Sequence, residues 1–170
     1  MKKWLISLTF ASVVLAGVFV LYFYFNPPLS TGGIGASDNN KSIILSVGNE
    51  SFGTIKVDEI LVNKKESPSE VKMQVTNPYK GFVITEDFSE YEEEYGMTDL
   101  ALVEIEPYTS PSSQYANMDN GTATTDDISY GLSVIHKDEI KIVTIKYKYF
   151  GIPLEEVIHT NLHTAFSMQH

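Results

Sequence analysis

Residues 140–150 decide the fold: Ile140-Lys141-Ile142-Val143-Thr144-Ile145-Lys146-Tyr147-Lys148-Tyr149-Phe150. From residue 143 the stretch alternates, with Val143, Ile145, Tyr147 and Tyr149 on one side and Thr144, Lys146 and Lys148 on the other. A period of two carried by β-branched and aromatic residues is the pattern of a half-buried strand. Upstream, the turn Lys137-Asp138-Glu139 joins it to a second strand over residues 129–136. Downstream, Gly151 punctuates the chain before a last strand at 154–160.

The same pattern extends toward the N-terminus. Val71, Met73 and Val75 alternate with Lys72, Gln74 and Thr76, and Ile43, Leu45 and Val47 share one face of residues 42–47. Within residues 52–63, Ile55 and Val57 share one parity and Ile60 and Val62 the other, with Asp58-Glu59 between them. A one-residue change of phase predicts a β-bulge there. Residues 81–85 read as a short strand, and residues 99–106 as a central one with both faces apolar. One helix is expected from Asp87 as N-cap, Glu90 three positions on, the stripe Phe88, Tyr91 and Tyr95, and Gly96 as the stop. Residues 107–127 lack periodicity and read as a long loop on which the fold does not depend. Roughly seven or eight short strands in about 120 residues make an all-β sandwich of Ig-like architecture.

Ahead of this domain lies a different kind of sequence. Lys2 and Lys3 precede 22 uncharged residues that begin at Trp4 and end at Phe25, and the next lysine is Lys41. As a helix, that run is about 33 Å long, enough for a hydrocarbon core of about 30 Å. The lysine bias keeps the N-terminus in the cytoplasm and places the domain outside, with Trp4, Tyr22 and Tyr24 near the two interfaces. A cleaved secretory signal has a shorter apolar core followed by small residues. Here Ala11, Ala16 and Gly17 lie inside the run, so an uncleaved anchor is expected. Leu15-Ala16-Gly17 begins a lipoprotein box, but Val18 stands where the cysteine is required. Pro27-Pro28 ends the helix. The expected organisation is a transmembrane signal-anchor helix at 4–25, a flexible linker at 26–40, an extracytoplasmic sandwich at 41–162 and a C-terminal tail at 163–170.

Composition excludes several function classes. The chain of 170 residues has 22 acidic against 12 basic residues, a net of −10, and every basic residue is lysine. Without arginine there is no guanidinium fork for phosphates or bases, and nucleic acid is a poor partner. Without cysteine there is no disulfide, thiolate metal site or thiol nucleophile.

The lysine-only, cysteine-free domain behind a Lys-Lys-Trp-Leu start resembles small uncharacterised signal-anchored cell-surface proteins of Bacillus-type Gram-positive bacteria. Residues 130–133 and 145–153 have the same look. The resemblance implies an extracytoplasmic membrane protein and brings no catalytic residues with it.

Candidate sites are weaker signals. His159 and His163 have the i, i+4 spacing that puts two imidazoles on one helix face for zinc, and His136 or His170 would have to complete the set. Asp119, beside Asn120-Gly121, with Asp126 and Asp127 offers oxygen ligands for calcium, without the regular spacing of a calcium loop; Asn120-Gly121 is more simply a tight turn. Glu90, Glu93 and Glu94 form an acidic surface, and exposed Tyr108 and Tyr115 an adaptable contact surface. The lysines at 137, 141, 146 and 148 are expected to pair with the domain's own carboxylates. No cofactor is implied. The expected function is a non-catalytic binding or interaction module, held in the lipid bilayer by residues 4–25 and acting beside a membrane protein or on a cell-wall ligand. The alternative is a cell-surface hydrolase using two carboxylates, which calls for two acids on adjacent strands in one cleft.

Overall fold

The computed structural model describes residues 2–160, and the side chains of residues 9–15 and 17–160. The chain opens with α1 (Lys2–Phe25), an unbroken helix. It ends where Asn26 donates from both its backbone and side-chain nitrogens to the Tyr22 carbonyl, just before Pro27-Pro28. Among the described residues no helix is long and apolar enough to cross a membrane. The uncharged run behind the expected span includes side chains 4–8 and 16, which lie outside that description.

Among the described residues nine strands follow: β1 (Leu29–Ala36), β2 (Ser42–Asn49), β3 (Ile55–Val62), β4 (Glu70–Thr76), β5 (Met97–Thr98), β6 (Glu104–Ile105), β7 (Ser129–Ile135), β8 (Ile142–Tyr149) and β9 (Ile152–His159). One sheet has the order β1-β2-β7-β4-β5, the other β6-β3-β8-β9. Every pairing is antiparallel. Ile43, Leu45, Leu132 and Met73 of the first sheet share one buried cluster with Ile60, Val143, Ile145 and Tyr147 of the second. This is a β-sandwich. Leaving aside the two-residue strands, its order matches the A-B-E-D and C-F-G sheets of a constant-type immunoglobulin domain.

The apolar side of the alternation in β8 is realised, with Val143, Ile145, Tyr147 and Tyr149 buried; on the other side Lys148 is exposed and Lys146 half-buried, but Thr144 is buried. In β3 the ladder to β8 shifts between Val57 and Glu59, so Asp58 is the extra residue. The bulge turns both Asp58 and Glu59 to the surface and returns Ile60 to the core. Two acids then face two lysines. Glu59 lies 2.7 Å from Lys146, and Asp58 lies 2.8 Å from Lys148, which is otherwise opposite Lys56.

Elsewhere the structure corrects the sequence reading. Residues 29–36, read as flexible linker, are β1, paired along β2 with an irregularity between Thr31 and Ile34. The ordered domain therefore starts at Leu29. Residues 81–85 are not a strand but an extended segment crossing the outer face of the first sheet. The buried Gln74 side chain replaces a strand partner: its Nε2 donates to the Val83 carbonyl (2.7 Å) and to Ser133 Oγ, and its Oε1 accepts from the Val83 N–H (3.0 Å). That cover explains why β2 is buried on both faces. Residues 99–106 hold a 3-10 turn (Leu100–Leu102) and the two-residue β6 rather than a central strand. The helix expected after Asp87 shrinks to one 3-10 turn (Phe88–Glu90); Asp87 accepts from the Ser89 N–H, not from Glu90 as a capping box needs.

The segment read as a loop at 107–127 contains α2 (Pro111–Asp119), capped by Ser110, whose hydroxyl accepts from the Ser113 N–H. Gly48 lets it dock. A Cβ there would collide with the Thr109 carbonyl oxygen. Gln114 then ties the segment down, donating to the carbonyls of Thr109 and Ile128 and accepting from Ser129 Oγ. Tail residues 163–170 lie outside the described residues.

Candidate functional site

Strand register sets the geography. Leu29 pairs with Asn49 and Ile55 with Tyr149, so the end of the sandwich nearest α1 carries the β2–β3 loop and the β8–β9 turn. The opposite end carries the β3–β4 and β7–β8 turns, because Ser42 pairs with Ile135 and Val62 with Val143.

The near end is an aromatic platform. Phe23 of α1 is buried, with its ring 4.7 Å from Tyr149 and 4.8 Å from Phe19. Phe150 stacks obliquely on Phe52 at 5.4 Å and reaches Phe19 at 6.1 Å. Phe52 and Phe150 nevertheless remain 57% exposed, beside the exposed Tyr22, Tyr24 and Phe25.

The chain builds this platform at a local cost. Phe150 and Gly151 form a two-residue hairpin turn, with φ of 49° and 76°. Positive φ at both positions marks a type I′ turn, where Asn-Gly is the favoured pair. A bulky aromatic in that left-handed region costs about 1–2 kcal/mol, which the aromatic contacts offset. Gly53 leaves space for the ring, since a Cβ there would lie 2.7 Å from Phe150. Tyr149 Oη fixes the neighbouring loop by accepting from the Gly53 N–H (3.0 Å) and donating to Ser51 Oγ (2.7 Å). Buried Asn49 adds a bond to the Gly53 carbonyl (2.6 Å).

Between the exit of α1 and the second sheet lies an open recess of about 750 Å³, walled by Tyr24, Pro27, Asp58, Glu59, Lys146 and Leu154 among others. Its charges are arranged for neutralisation. Lys146 sits in register between Glu59 of β3 and Glu155 of β9. The hydrogen bond that it donates to Glu59, together with both negative charges, holds its ammonium above the ordinary value. Burial pushes the Tyr147 hydroxyl up to about 12. The lysine pairings expected from sequence are present here and at Lys141–Glu139 (3.1 Å) and Lys137–Glu66 (3.8 Å).

The other sequence candidates are dispersed. Glu90, Glu93 and Glu94 are exposed in the turns leading to β5. Lys72 lies 3.7 Å from the intervening Glu92, and Lys80 donates to the Glu94 carbonyl. Tyr108 is exposed with φ of 59°, and Tyr115 is exposed on α2, which packs on β1 and β2. β1 and β5 are opposite edges of one sheet, so the acidic and tyrosine surfaces are not one surface. Asp119 ends α2, Asp126 is exposed, and Asp127 Oδ2 accepts from the Thr124 N–H at 2.7 Å. His159 is exposed at the end of strand β9, where the helical spacing to His163 does not apply; His163 lies outside the described residues. Among the described residues the metal-type donors that converge are Glu66, His136 and Asp138, a set that sequence spacing did not suggest. No family model matches the chain, and neither a curated protein nor a solved structure matches it.

Proposed function

We infer that the chain is a single-pass membrane protein, N-terminus inside, whose extracytoplasmic sandwich is a non-catalytic binding module working close to the bilayer. The aromatic platform carries this reading. Phe52 and Phe150 stay exposed at the helix exit, and Phe150 does so in a backbone conformation that disfavours it. The exposed Tyr22 and Tyr24 near the same end of α1 have the amphipathic rings that prefer the membrane interface. The uncharged run from Trp4 to Phe25, with Lys2 and Lys3 directly before it and no lysine after it until Lys41, supplies the anchor and its orientation. Engagement of the recess carboxylates by Lys146 and Lys148 favours binding over carboxylate hydrolysis. The partner is a neighbouring membrane protein or a cell-wall ligand, met through the tyrosine surface of α2 or the acidic turns at β5. The test is a phosphatase reporter fused after His170, with mass analysis of the mature N-terminus. Activity confined to the outside, with Trp4 retained, is expected. A reporter active only inside, or a new N-terminus after Ala16 or near Asn26, overturns the anchor.

A further inference from the structure

At the end of the sandwich far from α1, the β3–β4 and β7–β8 turns meet. Val62 and Glu66 close the first turn with two reciprocal backbone hydrogen bonds, which fixes Glu66. Asn63 stitches the turns together: its side chain donates to the Glu139 carbonyl (3.0 Å) and accepts from the Lys141 N–H (2.9 Å). His136 leaves β7 with its backbone N–H donating to the Lys41 carbonyl, and Asp138 follows in the turn.

The imidazole of His136 is the anomaly. The residue is only 4% exposed, and neither ring nitrogen has a hydrogen-bond partner. A buried polar group left in this state costs about 1–3 kcal/mol, and such groups call for an explanation such as an ion. Nε2 lies 3.6 Å from Glu66 Oε2, too far for a hydrogen bond. One ring nitrogen and one oxygen each from Glu66 and Asp138 lie within 4.8 Å of one another. Ligands held about 2.0–2.2 Å from a tetrahedral zinc ion stand about 3.3–3.6 Å apart, so the His136–Glu66 separation already suits a shared ion. Glu66 and Asp138 also line an open recess of about 510 Å³, which gives a cation a path from solvent.

We propose that Glu66, His136 and Asp138 bind a divalent transition ion of the zinc type at the membrane-distal end of the domain. One imidazole and two carboxylates match the nitrogen and oxygen preferences of zinc and balance its charge. The exposed Lys137 ammonium, 3.8 Å from Glu66, occupies part of that charge in the absence of metal and swings to solvent when the ion enters. Coordination positions left by the three donors face the recess, open to water or to an anionic group of a partner.

The experiment is calorimetric titration of the full chain in detergent micelles with zinc chloride, after chelator treatment, with thermal melts in parallel. Saturable binding of one ion per chain and a raised midpoint are expected. Glu66→Gln and Asp138→Asn each weaken binding roughly tenfold or more and leave the metal-free midpoint unchanged, because both side chains are exposed. Lys137→Ala tightens it. If His136→Gln fails to fold, the two carboxylate variants decide. No saturable binding at millimolar zinc overturns the site, and so does binding that survives both carboxylate variants, which would place the ion elsewhere.

Discussion

The ring of Phe23, near the end of α1, lies 4.7 Å from the ring of Tyr149, the last residue of β8, at an interplanar angle of 63°. Edge-to-face pairs at this distance contribute about 0.5–1.5 kcal/mol beyond their area. The helix is thereby joined to the sandwich by packing as well as by the chain. Phe23 belongs to the same buried cluster as Leu29, Val47 and Ile55.

It follows that Phe23→Ala destabilises the sandwich by about 3 kcal/mol or more, the usual cost of removing a buried phenylalanine. Tyr24→Ala, at a position 71% exposed, shifts stability by no more than about 0.5 kcal/mol. Chemical denaturation in detergent micelles, followed by circular dichroism, measures both. Equal effects would mean that the helix merely tethers the domain.

The two faces of β8 separate in the same assay. Ile145→Ala costs about 2–5 kcal/mol, because Ile145 is 1% exposed at the centre of the core. Lys146→Ala costs much less, because its bond to Glu59 is an exposed ion pair.

Docking of α2 gives a steric prediction. Gly48→Ala drives a methyl group into the Thr109 carbonyl and lowers stability by about 1–3 kcal/mol. At Gly33 a Cβ meets only Tyr115 Oη, at 3.6 Å, and Gly33→Ala leaves the melting midpoint within a few degrees. Thermal melts of the pair report whether residues 107–127 are seated on the sheet as described.

Tyr147 predicts a pH dependence. Its folded-state value, raised by burial from 10.0 to about 12, means that the folded protein holds the proton where the unfolded chain releases it. That contribution to stability is complete below pH 10 and is lost as pH rises from there through about 12. The stability of the wild type should therefore fall more steeply across this window than that of Tyr147→Phe, measured by denaturant titration at each pH. Parallel curves would show that the hydroxyl ionises without penalty.

Much of the sandwich was legible in the residues. Alternation in β4 and β8 marked the side that meets the core, although Gln74 and Thr144 on the opposite sides are buried too, and the phase slip at Asp58-Glu59 marked the bulge. Residues that draw their order from distant partners were not legible. The run Gly32-Gly33-Ile34-Gly35 has the composition of a tether and becomes β1 only because β2 offers an edge. Ser110 to Asp119 has no apolar stripe, and it is helical because Ser110 caps it and the sheet leaves a gap at Gly48. Val83 crosses the sheet because Gln74 reaches up to bond it.

Sequence alone determined the class of fold, the phases of β4 and β8 with the bulge in β3, and the uncharged N-terminal run, because each depends on periodicity or composition within a few neighbours. Tertiary structure alone decided which residues meet. Phe19, Phe23, Phe52 and Phe150 come from three separate stretches, and Glu66 is about seventy residues from His136 and Asp138 in the chain. A one-dimensional pattern records which face a residue takes. It does not record which turns the antiparallel register will stack at the same end of the sandwich, and that register is where both candidate sites arise.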